Sequence, residues 1–164
     1  MPWFSTCGTP PTRDERADTV RYVEGLGLPA VPVEGVADWG AAAATAQRAD
    51  WSRQWWEAED AAAKTLHRTA AARLGETPLL ISLSAVTLAA AALHAAAALV
   101  LARAGAEDPA LSRVAAGAAA LACHQRGLTI AADAADDHPL ALKYRLFSGG
   151  RWLLGVMGDR CYLF

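Results

Sequence analysis

The chain predicts a mainly α protein of the α+β type. We expect an antiparallel bundle of about three long helices, a short N-terminal helix, and a C-terminal three-stranded antiparallel β-meander. Three observations carry that expectation. The 26 residues from Thr77 to Ala102 hold no formal charge, and eight of the eleven from Leu88 to Ala98 are alanine, the best helix former. Residues 38–74 alternate apolar and charged positions at steps of three and four. Beyond residue 141, runs rich in aromatic and branched side chains are separated by Gly149-Gly150 and Gly158-Asp159, dipeptides suited to tight hairpins.

The 164 residues fit one domain. Its parts are residues 1–37 (short helix and extended segment), 38–135 (bundle) and 141–164 (meander). Pro2, Gly8, Pro10 and Pro11 make the start irregular. Thr12-x-x-Glu15 is a capping box that opens a helix running to about Glu24, with Ala17, Val20 and Val23 as its apolar stripe. Residues 26–37, with Pro29 and Pro32, should be extended and drape over the bundle. Asp38 is a good N-cap for a helix that runs to Leu74 and stops at Gly75. Trp51, Trp55, Ala58, Ala62, Leu66 and Ala70 form its buried face, while Arg53–Glu57 and Asp60–Lys64 pair on the solvent side.

Thr77-Pro78 opens the uncharged helix and Gly105 closes it. Asp108-Pro109 opens the next, which runs to about Ala135 and buries Leu111, Val114, Ala118, Leu121 and Leu128. His138-Pro139 marks its end. Strands are expected at Leu142–Phe147, Arg151–Met157 and Arg160–Phe164.

An uncharged helix of this length is either the centre of a bundle or a membrane span. Alanine gains little in a bilayer, Ser82, Ser84, Thr87 and His94 interrupt the run, and Arg113 and Arg126 bar the next helix from pairing with it as a second span. Close helix packing in a bundle is therefore the favoured account, with attachment to a membrane through residues 77–102 as the alternative.

The totals exclude little. Hydrophobic residues make up 54%, mean hydropathy is +0.16, and alanine supplies much of both. A net charge of −2 and a pI near 6.1 give no basic surface for nucleic acid. Cys7, Cys123 and Cys161 are too few and too scattered for a disulfide framework, and the N-terminus lacks a basic region followed by an apolar run. We expect reduced thiols, with Cys7 the most accessible, and a cytosolic protein.

Candidate chemistry is sparse. At ~1.5 Å per residue from the Gly75–Thr77 turn, Glu59 and His94 fall level at roughly 26 Å, His67 at roughly 14 Å and His124 at roughly 18 Å. Glu59, His94 and His124, with His67, are thus weak candidates for a metal or cofactor pocket, although no Glu-x-x-His motif is present. No cofactor is called for by any motif. Trp51 and Trp55 read as core, whereas Trp56 lies off the stripe and faces outward. Arg160, Tyr162 and Phe164, on a strand expected at a sheet edge, join Trp56 as candidate contacts for a partner protein, and Leu142–Phe147 offers a second edge. The function that follows is a non-enzymatic interaction or accessory protein, adaptor- or immunity-like, binding another protein or a second copy of itself.

Overall fold

The computed structural model describes residues 3–106 and 108–164. Pro2 and the Thr87 side chain, both weighed above, fall outside that description. Among the described residues the helices are α1 (Arg13–Gly25), α2 (Trp39–Ala46), α3 (Arg53–Leu74), α4 (Glu76–Arg103), α5 (Pro109–Ala131) and α6 (Pro139–Ser148). The strands are β1 (Val33–Gly35), β2 (Leu153–Met157) and β3 (Arg160–Leu163). The protein is mostly helical with a small sheet.

Local capping chemistry sets several starts. Thr12 Oγ1 accepts from Glu15 N at 3.2 Å and Glu15 Oε2 accepts from Thr12 N at 2.7 Å, completing the capping box of α1. Asp38 Oδ1 accepts from Ala41 N at 2.8 Å at the head of α2. Asp108 Oδ1 accepts from Ala110 and Leu111 N at 2.8 and 3.0 Å, with Pro109 in the first turn of α5. The apolar stripe of α1 is not the one expected: Asp18, Thr19, Tyr22 and Val23 are buried, whereas Ala17 is exposed.

Several further expectations need correction. The helix expected over 38–74 is broken between α2 and α3. There, Ser52 N donates to Val156 O at 2.7 Å, Gly158 N donates to Asp50 O at 3.0 Å, and Trp51 forms an isolated bridge with Met157. The break lets residues 50–52 satisfy the free edge of β2, and Ser52 then caps α3 through Trp55 N at 3.1 Å. Leu142–Phe147 is not a strand but the body of α6. His138-Pro139 opens that helix rather than ending the previous one, with Leu140 N donating to His138 Nδ1 at 3.2 Å.

The sheet is also not an antiparallel meander. Its order is β1-β3-β2, with β3 antiparallel to β2 but parallel to β1. Val33, Glu34 and Gly35 lie opposite Cys161, Tyr162 and Leu163. The segment expected to drape over the bundle is therefore an outer strand of the sheet, and β3 is its centre.

Finally, α4 does not form the centre of a bundle. That place belongs to α5, which packs on α3, α4 and α6. Helix α4 lies against α5 on one side, burying Leu79, Leu83, Leu93, Ala97 and Leu101. Only 20% of its most apolar 18-residue window is buried. On α5 the expected face is right for Leu111 and Leu128, but Val114 and Leu121 are exposed. Two clusters make up the interior. The larger joins the sheet, α1, α2, α6 and the upper parts of α4 and α5; the smaller holds Leu66, Ala70, Leu79, Leu83, Leu128, Ala132 and Leu140.

Candidate functional site

Helix α3 enters beside the sheet and points Glu59 inward, one position from the stripe that its periodicity marks as buried. The carboxylate is buried yet fully engaged. Glu59 Oε1 accepts from Lys143 Nζ at 2.5 Å and from Gln125 Nε2 at 2.9 Å, and Glu59 Oε2 accepts from the Tyr22 hydroxyl. Trp55 Nε1 in turn donates to Tyr22 Oη at 2.7 Å. Five side chains from α1, α3, α5 and α6 therefore meet at one point. Burial alone would raise the Glu59 pKa; the Lys143 charge and the hydrogen bonds from Gln125, Lys143 and Tyr22 outweigh it, so the carboxyl sits below the ordinary glutamate range. Burial pulls Lys143 down, partly offset by Glu59. Burial and the Glu59 charge push the Tyr22 phenol well up, keeping it a donor. The result is an ion pair with a neutral phenol and amide around it.

One atom of this cluster is unsatisfied. Gln125 is 2% exposed, its Nε2 is engaged by Glu59, and its Oε1 has no hydrogen-bond partner. Exchanging the amide's O and N would set Oε1 against the Glu59 carboxylate, acceptor against acceptor, so the carbonyl is the end left over.

Above Glu59, Gln125 and Lys143 opens a cavity of about 460 Å³. Trp51 lines it from the segment before α3, Trp55 and Trp56 from the start of α3, Val114, Ala118 and Leu121 from α5, and Leu154 and Met157 from the sheet. Gly155 fixes part of that wall. Its φ is +121°, and a Cβ there would lie 2.6 Å from the Trp55 ring. Glycine is thus required both by the backbone and by the close approach of the indole.

The residues singled out in the sequence are dispersed. His94 is exposed on α4 and borders a different groove with Leu101 and Ser112; among the described residues none from α4 lines the Glu59 cavity. His67 and His124 are neighbours: burial, then the His67 charge, lowers the His124 pKa. Among the described residues no three His, Cys, Asp or Glu side chains are grouped to hold a metal ion. Trp56 is 56% exposed at the cavity mouth. Because β3 is the central strand, Arg160, Tyr162 and Phe164 offer no free sheet edge. Arg160 pairs with Glu34 at 2.9 Å across to β1. Tyr162 Oη accepts from Arg48 Nη1 at 2.6 Å. Phe164 is wholly buried, edge-on to Trp39 at 4.8 Å. Cys7 is half-buried, as is Cys123, while Cys161 is buried. The Cys7 Sγ donates to Gly150 O and Phe164 O, and burial pushes its pKa up to about 12.

Sequence reasoning missed Tyr22, Gln125 and Lys143. The usable signal was Lys143, a charge set between the apolar residues Leu140, Ala141 and Leu142 and Tyr144. No family model, curated protein or solved structure matches the chain.

Proposed function

We propose that the chain is a non-enzymatic interaction module that assembles with a second copy of itself through the outer face of α4. The observation that carries this is an uncharged heptad seam on an exposed helix. Ile81, Ala85, Leu88, Ala92, Ala95 and Leu99 follow one another at alternating steps of four and three, and all are exposed, Leu88 by 82%. That 3.5-residue period is the spacing of a helix-pairing seam.

The seam is self-complementary when the second copy runs antiparallel. With the two-fold axis beside residue 90, Ile81 lies opposite Leu99, Ala85 opposite Ala95, and Leu88 opposite Ala92. Leu88 fills the space that Ala92 leaves, and the alanine pair lets the axes approach to ~8 Å. The same register sets Glu76 within one residue of the other copy's Arg103 and opposes the two helix dipoles. A two-fold interface uses one patch on both copies, which suits a palindromic seam.

A bilayer suits this face less well. Half of its seam side chains are alanine, which gains little in hydrocarbon, and α5, packed along α4, would carry Arg113 and Arg126 toward the hydrocarbon. The ion pair of Glu59 and Lys143 neutralises the two strongest candidates for acid–base work, which supports the non-enzymatic reading.

A single helix pair lies at the low end of specific interfaces, of order 1,000 Å² in total, so the dimer should be concentration-dependent. Sedimentation equilibrium of the full chain is expected to give a monomer–dimer system, abolished by Leu88→Glu with helical content unchanged. Mixed Ile81→Cys and Leu99→Cys chains should cross-link to each other and not to themselves. A wild type that stays monomeric at every concentration reached, or that floats with phosphatidylcholine vesicles as a monomer, overturns the proposal.

A further inference from the structure

The geometry points to a second, separate function: the cavity between α3, α5 and β2 is a binding site for a small, uncharged, planar aromatic molecule carrying one N–H or O–H donor. The observations behind it lie away from α4 and stand whether or not the chain dimerises.

Size comes first. About 460 Å³ falls within the range of pockets that enclose drug-sized ligands. The walls then set the chemistry. Three tryptophans on one side face apolar α5 and sheet residues on the other, and indoles hold planar rings by offset or edge-on stacking. Several of these side chains are left in water: Trp51, Trp56, Val114 and Leu121 are all about half exposed, and all four border the cavity. Large apolar groups gathered around a concave opening mark a surface that an apolar ligand would cover.

The floor sets the polarity. Gln125 lines the cavity, and its unpartnered Oε1 lies under the floor, where a ligand reaches it only by displacing the atoms that cover it. A ligand N–H or O–H would satisfy it, and a ligand with only acceptors would not. Charge is already balanced. Glu59 is paired with Lys143 on the floor; at the rim Asp60 is paired with Lys64, and Arg48 with Asp50. A charged ligand would lose its hydration here without gaining a counterion.

N-phenyl-1-naphthylamine tests this directly. It is neutral, aromatic, carries one N–H and fluoresces strongly only in apolar surroundings. With the full chain we expect saturable binding at one site and energy transfer from tryptophan. Ala118→Trp, which fills the cavity from α5, should weaken binding by about tenfold or more. Trp56→Ala, at an exposed position that folding does not depend on, should do the same if the first variant is misfolded. The N-methylated probe, lacking the donor, and 8-anilino-1-naphthalenesulfonate, carrying a charge, should each bind the wild type more weakly. Leu88→Glu should bind the neutral probe normally, which separates this site from the α4 face. The inference falls if no saturable binding is seen, if folded Ala118→Trp or Trp56→Ala binds as well as wild type, if Leu88→Glu loses binding, or if either analogue binds as tightly as the neutral donor.

Discussion

Glu59, Lys143 and Arg151 are buried, whereas Ile81, Leu88 and Leu99 are exposed. Helix α4, uncharged from Thr77 to Ala102, is open to solvent over most of its described length, and the buried charged groups lie in the half built from α1, α3, α6 and the sheet. The difference teaches that burial here follows partners rather than hydropathy. Each buried charge is met: Glu59 by three donors, and Arg151 by Glu15 and the carbonyls of Thr6, Thr9 and Pro10. Alanine, by contrast, removes so little apolar area from water that a helix rich in it is held by one face alone.

The comparison breaks most easily at Glu59. Glu59→Leu leaves Lys143 charged and unpaired in the interior and is expected to cost about 3–5 kcal/mol in urea unfolding. Glu59→Leu combined with Lys143→Met should recover most of that loss, because the pair itself contributes little net stability. Within α4 the two halves can be compared directly. Leu83, packed on Gly127, should cost about 2–5 kcal/mol when changed to Ala. Leu88→Ala, five residues on, should change monomer stability by less than about 0.5 kcal/mol. Gly155→Ala should cost about 2 kcal/mol or more, from strain at its positive φ and displacement of Trp55, visible as a change in tryptophan emission.

Acid should act on the polar half in two stages. Burial lowers the pKa of both His124 and His138 below 6.5 in the folded protein. Their contribution is complete above pH 6.5 and is lost as pH falls through the folded values, since the unfolded chain binds those protons more readily. Glu59 and Glu15 follow. Burial pushes each up but is outweighed, for Glu59 by Lys143 and for Glu15 by Arg151, so both sit below 4.5. Their share is lost below pH 4.5. Unfolding midpoints measured against pH should decline first below 6.5 and again below 4.5. The smallest effect is His67→Gln: His124 should titrate nearer its ordinary value by NMR, and the first decline should shrink.

What was legible in the sequence was local. Thr12 with Glu15, Asp38, and Asp108 with Pro109 each need only a few adjacent residues to satisfy a helix start, and each does so. The same chemistry at His138-Pro139 was there to be read, but α6 is buried on most sides and its apolar run has no helical stripe to distinguish it from a strand. The break between α2 and α3 depends on β2, and β1 depends on β3, far away in sequence. The candidate site was half legible. Glu59 was named from its height along the bundle, but its partners come from three other helices. Heights along an ideal bundle matched it to His94 instead, because they cannot give the rotation of each helix about its own axis.

The parallel pairing of β1 with β3 has a consequence for how the molecule comes to exist. Residue 33 must find residue 161, a closure whose entropy has to be met before its contacts can form, and such long-range pairings are slow. The α4–α5 hairpin closes across a short connection and can form early. During synthesis α4 leaves the ribosome well before the central strand has been made. A nascent chain therefore displays a long apolar helix on an unfinished body, and the seam we propose to pair two mature copies is also the surface most in need of cover while the rest of the chain is still being translated.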